Sequence, residues 1–142
     1  MPKTRSIFIA SLLAALSLLA AGCGPASPAA LSNNEVIAVT TNILTAMDTG
    51  DYAAFTSEFS EEMLAAFPEE QFTELRDLLQ STSGNFVSAG ELSLSNKEGF
   101  ALYRILCTYD LEDVVVTIVF KVDGTQVDGL FFDSPNLRTS SQ

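Results

Sequence analysis

The sequence predicts an α+β fold in which N-terminal helices pack on one face of an antiparallel β-sheet. Between residues 31 and 84 the apolar residues recur three or four positions apart, which is the spacing of amphipathic helices. After Gly84 the spacing changes to two, and an Asp123-Gly124 dipeptide between two apolar runs signals a hairpin. Helices followed by consecutive strands are typical of α+β domains, because the two kinds of element are then segregated along the chain.

Four helical segments are predicted in the first half of the domain. Ser32 and Glu35 match the capping-box pattern at the start of the first helix, and Gly50 is expected to end it. Asp51 is expected to cap a short amphipathic second segment, which carries three aromatic residues, Tyr52, Phe55 and Phe59. Ser60 is the expected cap of the third segment, and Pro68 suits the first position of the fourth.

Four strands are predicted in the second half, over residues 86–94, 100–109, 114–122 and 126–132. The third is the richest in β-branched residues, which strands favour. Alternate residues of the second and third strands form an apolar face that is expected to pack on the helices: Ala101, Tyr103, Ile105, Cys107, Tyr109, Val114, Val116, Ile118, Phe120 and Val122. A free cysteine in such a face, Cys107, is expected to behave as a small buried apolar residue.

The opposite face of the sheet is less polar than expected for a face that contacts water. Leu102 and Leu106 flank Arg104, and Val115 and Val119 lie on the next strand. An antiparallel sheet with one solvated face usually alternates more cleanly. We therefore expect a second copy of the chain to cover this face in a homodimer. The alternatives are a chain end that shields the face and the ordinary presence of apolar residues on a protein surface.

The N-terminal segment is predicted to be a lipoprotein signal peptide. Lys3 and Arg5 give a positive start, residues 7–21 are uncharged and almost wholly apolar, and Ala20-Ala21-Gly22 precedes Cys23. The apolar stretch fits a signal better than a transmembrane anchor, which needs about 20 apolar residues. The pattern resembles a bacterial lipobox, in which the cysteine is lipidated. Cys23 is therefore expected to anchor the mature protein in the lipid bilayer of the cell membrane, outside the cytoplasm; the alternative is a cleaved signal followed by an ordinary thiol.

The rest of the chain is predicted to hold one domain. Residues 1–22 are the signal peptide that is removed, and residues 23–30 are the lipidated cysteine and a flexible tether of glycine, proline, alanine and serine. Residues 31–137 are enough for a single α+β domain with one hydrophobic core, and residues 138–142 are a polar tail.

Composition excludes several classes of function. Lys3 and Arg5 lie in the signal, which leaves 5 of the 7 basic residues against 18 acidic ones, a net charge of −13 for the mature chain. Such a surface repels nucleic acid and anionic lipid headgroups, since phosphate binding depends on clustered lysine and arginine. The sequence also has no histidine, which excludes Ser-His-Asp and Cys-His catalysis and argues against a zinc site.

Two acidic groups near predicted turns are candidate metal sites. Asp48 with Asp51 forms one, and Asp110 with Glu112 and Asp113 forms the other. A calcium loop needs several oxygen ligands at defined positions, and neither group has that spacing. No metal or cofactor is therefore predicted.

Three groups of short motifs span the domain. Gly50-Asp51-Tyr52 is followed by Phe55, Phe59-Ser60 and Met63; Gly84-Asn85-Phe86 comes later; and a valine-rich strand precedes residues 127–132. Together they resemble the domain of unknown function 3887 family over nearly the whole mature domain. The resemblance implies a cone of the nuclear-transport-factor-2-like (SnoaL-like) superfamily, in which a curved antiparallel sheet wraps helices. It further implies a pocket at the open end of the cone and dimers through the sheet.

The implied pocket has aromatic candidates in this sequence. The candidate ligand-binding residues are Phe55, Phe59, Tyr103, Tyr109, Phe120 and Asp128. We therefore predict a non-catalytic domain that binds a small apolar ligand or an envelope protein partner, since ligand pockets are mostly apolar with a few placed polar groups. The alternative for these rings is a solid core.

Two further functions stay open from the sequence. Some relatives in that superfamily carry out isomerase or cyclase chemistry with aspartate and tyrosine alone, and here Tyr103 or Tyr109 with Asp110 or Asp128 are the candidate carriers. The other is a purely structural accessory subunit whose sheet face docks on an envelope enzyme. The fold alone cannot choose among these functions, because one fold hosts many.

Overall fold

The computed structural model describes residues 30–140 and confirms the α+β order, with helices first and a four-stranded antiparallel sheet after them. The helices are α1 (Asn33–Thr49), α2 (Tyr52–Thr56), α3 (Glu61–Ala66), α4 (Glu69–Thr82) and α5 (Pro135–Ser140). The strands are β1 (Phe86–Lys97), β2 (Phe100–Tyr109), β3 (Asp113–Lys121) and β4 (Val127–Asp133), and they lie in the order β1-β2-β3-β4. The predictions for the signal peptide and Cys23 concern residues outside the described part of the chain. Among residues 30–140, no helix is both long and apolar enough to cross a membrane.

The predicted caps of the first three helices are confirmed. Glu35 N–H donates to Ser32 Oγ (3.4 Å), and Ser32 N–H donates back to Glu35 Oε2 (2.8 Å), which completes the capping box of α1. Gly50 ends α1 with a φ of 72°, a left-handed conformation that glycine adopts readily. Asp51 and Ser60 cap α2 and α3 by accepting hydrogen bonds from backbone N–H groups of the first turns.

One face of the sheet packs on the helices, as predicted. The buried residues of β2 and β3 on this face are Ala101, Tyr103, Ile105, Cys107, Tyr109, Val114, Val116, Ile118 and Phe120. Cys107 is fully buried, and burial raises the pKa of its thiol to about 12, so the thiol stays protonated at neutral pH. On the opposite face, Leu106 is 41% exposed and Leu102 and Val115 are partly exposed.

A bulge in β4 changes how this strand pairs with β3. Val119 pairs with Gly129 whereas Phe120 pairs with Val127, so Asp128 is the extra residue. The Asp128 carboxylate accepts a hydrogen bond from the backbone N–H at the end of β3 (3.2 Å), which stabilises the bulge. A Cβ on Gly129 would lie 3.3 Å from Val119 Cβ, so the neighbouring strands approach too closely for a larger residue to fit without adjustment.

The boundaries of β3 and β4 differ from the prediction by one residue, and two further differences have a local cause. Pro68 is the N-cap of α4 and not its first helical residue, because its ψ of 162° is extended. Strand β1 continues to Lys97, beyond the predicted end at residue 94, because the turn to β2 requires only Glu98 and Gly99. Both of these residues have a positive φ, which suits a two-residue hairpin turn.

The described residues end in a short helix, α5, which includes residues 138–140 of the predicted polar tail. Residues 138–140 form the last turn of α5, which begins at Pro135. The Ser134 hydroxyl accepts a hydrogen bond from a backbone N–H of this helix (3.2 Å), and proline suits the first helical position. Arg138 Nε donates to Asp133 Oδ1 (2.7 Å), and this bond holds the pKa of the carboxyl below its usual value.

Candidate functional site

An apolar groove runs between helix α4, strand β4 and helix α5. Its volume is about 570 Å³, which lies within the range of ligand sites in proteins. The lining residues are Phe67, Gln71, Glu74, Leu75, Leu78, Leu130, Phe131, Phe132 and Leu137. Most of these side chains are apolar and two are polar, which is the usual composition of a binding site.

The strand side of the groove is the free edge of the sheet. Leu130, Phe131 and Phe132 are consecutive residues of β4, and consecutive side chains of a strand point to opposite faces. They can line one groove only where that groove passes around the edge of the sheet, and β4 is an edge strand. Phe131 is 62% exposed, which is unusual for so large an apolar side chain.

The helix side of the groove comes from one face of α4. Gln71, Glu74, Leu75 and Leu78 follow the i, i+3, i+4, i+7 spacing and therefore lie on one side of the helix. Phe72 belongs to a different side, which packs in the core. Leu78 remains 37% exposed, so the groove has apolar surface on both walls that described residues leave uncovered.

The structure does not bring the six predicted pocket residues together in one site. The five aromatic ones are at most 5% exposed and pack in the core: Phe55, Phe59, Tyr103, Tyr109 and Phe120. Ring centroids lie 5.0 Å apart for Phe55 and Phe59, and 5.9 Å apart for Tyr103 and Phe120. Asp128 lies at the bulge, where its Oδ1 is 3.6 Å from Lys121 Nζ beside a separate depression of about 300 Å³.

The tyrosines and aspartates considered for catalysis have structural partners. Tyr103 Oη donates to Leu31 O (3.3 Å), and burial raises the pKa of both Tyr103 and Tyr109. Both hydroxyls therefore stay protonated at neutral pH. Asp110 accepts hydrogen bonds from the backbone N–H of Asn85 (3.0 Å) and from its side-chain Nδ2 (3.1 Å). Asp110 thus stabilises the turn that precedes β1.

The other acidic residues near turns also join elements of the fold. Glu112 accepts hydrogen bonds from Ser83 Oγ and Ser134 Oγ, both at 2.6 Å. Asp48 accepts one from Phe86 N–H (3.0 Å), while desolvation by burial raises the pKa of its carboxyl. In the described range, no group of three or more His, Cys, Asp and Glu side chains is placed to hold a metal ion.

The sequence carried a signal for this groove that its helical and strand patterns did not reveal. The helical spacing of Phe72, Leu75, Leu78 and Leu79 predicts a single apolar stripe on α4, which does not separate the groove residues from the core residues. The run of apolar residues 130–132 departs from strict two-residue alternation, which indicates apolar surroundings on both sides of a strand. In the structure, this run of apolar residues corresponds to the part of the edge strand β4 that lines the groove, where Phe131 is exposed.

Comparison with known proteins gives the same family that the three groups of motifs resemble. No curated protein shows a significant match to the chain. One family model matches residues 40–128, from the middle of α1 to the bulge in β4, which is more than half of the 142 residues. The chain therefore belongs to the family described as protein of unknown function (DUF3887).

Proposed function

We propose that this chain is an extracytoplasmic lipoprotein whose domain acts, without catalysis, by binding an apolar group in the groove beside β4. The observation that carries the proposal is the exposed Phe131 within an apolar groove of about 570 Å³. Contiguous exposed apolar surface rimmed by polar residues marks binding sites. The apolar group belongs either to a small ligand or to an envelope protein, and the groove has room for both.

A dye-binding experiment tests the groove. Residues 30–140 form one hydrophobic core, so a soluble fragment of residues 24–142 keeps every wall of the groove. We expect the neutral dye Nile red to bind this fragment with increased fluorescence, and Phe131→Ala to weaken binding about tenfold because a large apolar contact is lost. Leu111→Ala is the matched control, since Leu111 is 66% exposed but does not line the groove. The proposal would be contradicted if both variants lost dye affinity equally, or if the wild type did not bind the dye.

The proposed anchor is a lipid on Cys23. Ala30 N–H donates to Val122 O (3.3 Å), so the described chain starts beside the turn between β3 and β4. Ala30 lies seven positions after Cys23, and an extended chain over seven positions spans at most about 25 Å. The domain would therefore stay close to the membrane surface.

Substitution of the anchoring cysteine tests this part of the proposal. We expect Cys23→Ser to move the protein from the membrane fraction to the soluble extracytoplasmic fraction, with loss of the mass of the attached lipid. Intact-mass spectrometry and cell fractionation measure both effects. The matched control is Cys107→Ser. Cys107 is buried in the sheet, so its substitution should leave the anchor unchanged. Membrane retention of the Cys23→Ser protein with an unchanged mass would overturn the lipoprotein assignment.

We also propose that the fold is a small nuclear-transport-factor-2-like cone that forms homodimers through the outer face of the sheet. In support, the helices cover one face, and Leu106 and Val115 pair on the other, where Leu106 is 41% exposed. Leu106 lies on β2, two strands from the β4 edge, so a dimer centred there leaves the groove open. Sedimentation is expected to give a dimer for the wild type and a monomer for Leu106→Lys; a monomeric wild type would contradict this.

A further inference from the structure

We infer that the groove receives an extended segment of a partner protein, in which lysine or arginine alternates with apolar residues and whose backbone pairs with the open edge of β4. This inference rests on the proposed function, because it names the occupant of the same groove. Three features carry it: the free backbone of β4, the placement of apolar side chains on both sides of that edge, and the charge around it.

Within residues 30–140, the outer edge of β4 is paired only at its first residue. Ser60 N–H donates to Val127 O (2.9 Å), and Val127 N–H donates to Glu58 O (2.8 Å). From Asp128 to Asp133, β4 has no backbone hydrogen bond to any described segment other than β3. An edge strand directs alternate N–H and C=O groups away from the sheet, and such groups are a template for an added strand. Six residues span about 20 Å, which is the length of an ordinary strand.

The side chains beside this edge would select apolar residues at alternate positions of an added strand. Leu130 and Phe132 pair with residues of the helix-facing side of β3, and Leu75 and Leu78 lie opposite them on α4. Alternate side chains of an added strand would enter this space, because successive side chains point to opposite faces. The remaining side chains would lie beside Phe131 on the outer side, where solvent can reach charged ends, and the carboxylates of α4, on the helix side, would act on them through the long-range field and not by direct contact.

The charge around the groove favours a cationic segment. Glu70, Glu74 and Asp77 are exposed and follow one another along one side of α4, at the helical spacing of i, i+4 and i+7. On the outer side, Arg138 of α5 is paired with Asp133, and Arg104 of β2 also lowers the pKa of the Asp133 carboxyl. Residues 30–140 carry 18 acidic and 5 basic side chains, so the long-range field also attracts cations.

The same features argue against the lipid bilayer as the occupant. Anionic headgroups would be repelled by the carboxylates of α4. The described chain starts beside Val122, next to the beginning of β4, whereas the groove lies along residues 130–132 towards the other end of that strand. The connection to the proposed anchor therefore begins near the other end of β4 from the groove.

Peptide binding to the full lipoprotein in phosphatidylcholine nanodiscs tests the inference. The probe is a fluorescent peptide of about ten residues that alternates valine and lysine, a length that matches a β-strand. One comparison peptide has glutamate in place of lysine, and another keeps the side chains but is N-methylated at its central residues. We expect both to bind at least about tenfold more weakly, measured by fluorescence anisotropy at about 0.15 M salt. Empty nanodiscs give the background.

Variants of the protein locate the binding. Phe131→Ala is expected to weaken binding of the valine–lysine peptide about tenfold, whereas Leu111→Ala is expected to leave it unchanged. Bound peptide should also slow hydrogen–deuterium exchange of β4 amides but not those of β1, the other edge strand. Equal binding of the N-methylated peptide would overturn the backbone pairing, and equal binding of the glutamate peptide would overturn the charge preference. If the wild-type protein binds Nile red but not the peptide, this inference alone is overturned. If it binds neither, the proposed function is overturned as well.

Discussion

Replacement of Phe55 by alanine is expected to lower the free energy of unfolding by about 3–5 kcal/mol, the usual cost of removing a buried phenylalanine. Phe55 is fully buried, and its ring centroid lies 4.8 Å from Phe72, 5.0 Å from Phe59 and 5.5 Å from Phe67. The aromatic contacts add to the cost of the cavity, because tilted and edge-to-face ring pairs stabilise beyond their buried area. Urea unfolding followed by circular dichroism measures the change.

The result decides between the two sequence interpretations of the aromatic residues. If the rings are a packed core, the loss at Phe55 is large, and Leu64→Ala on α3 changes stability by no more than about 0.5 kcal/mol. Leu64 is the control because its side chain is 45% exposed. If instead Phe55 lined an open ligand pocket, its truncation would cost less than about 1.5 kcal/mol, since few contacts would be lost. A small loss would thus contradict the packed cluster seen in the structure.

Replacement of Glu112 by alanine is expected to cost about 2–4 kcal/mol, because two buried hydroxyl groups lose their acceptor. Ser83 is fully buried at the end of α4, and Ser134 is 2% exposed at the start of α5. Both donate to Glu112 Oε1, and Asn136 N–H donates to Oε2 (3.2 Å). The carboxylate therefore joins α4, the β2–β3 turn and α5. Urea unfolding of the variant measures the loss of stability. The control is Glu91→Ala, at an exposed position on β1, which is expected to change the free energy of unfolding by no more than about 0.5 kcal/mol.

Because of this carboxylate, the stability of the folded protein is expected to depend on pH. Burial by itself raises the pKa of Glu112, but the hydrogen bonds from Ser134, Ser83 and Asn136 together lower it below the ordinary 4.5. A folded-state pKa below the unfolded one means that the stabilisation is complete above the unfolded value and is lost as the pH falls through the folded value. The stability difference between wild type and Glu112→Gln is therefore expected to be larger at about pH 7 than at about pH 3.

The effect of pH must be measured as the difference in stability between the wild type and Glu112→Gln, and not as the change in stability of the wild type alone. Asp48 has a raised pKa, chiefly from desolvation, and its contribution to stability changes with pH in the opposite direction. A difference between wild type and Glu112→Gln that stays constant across this pH range would contradict the assigned role of Glu112.

Local signals in the sequence predict much of the fold. The capping box at Ser32, the glycine end of α1 at Gly50 and the caps at Asp51 and Ser60 depend on residues only three or four positions apart, and the structure confirms them. The two-residue alternation likewise predicts which face of β2 and β3 is buried. Such features can be predicted because the interacting residues are close together in the chain.

The groove could not be predicted in this way, because it depends on contacts between distant elements. Its walls come from α4 and from β4, which are separated by three other strands in the sequence. Helix α5 closes one side of the groove, and Glu112 stabilises this helix from the β2–β3 turn, although the sequence pattern predicts no helix at residues 135–140. The aromatic residues were assigned to a pocket because composition cannot show whether rings fill a core or surround a cavity.

The most direct test of the central claim is the reactivity of a cysteine placed in the groove of the protein in intact cells. Gln71→Cys lies in the groove without removing an apolar contact, and Thr45→Cys is an exposed control on α1. The buried Cys107 and a lipidated Cys23 would give little background. We expect a membrane-impermeant maleimide to label Gln71→Cys about fivefold more slowly in cells than in the purified protein, as most grooves would be occupied, with Thr45→Cys unchanged. Equal labelling rates for Gln71→Cys in cells and in the purified protein would contradict the account.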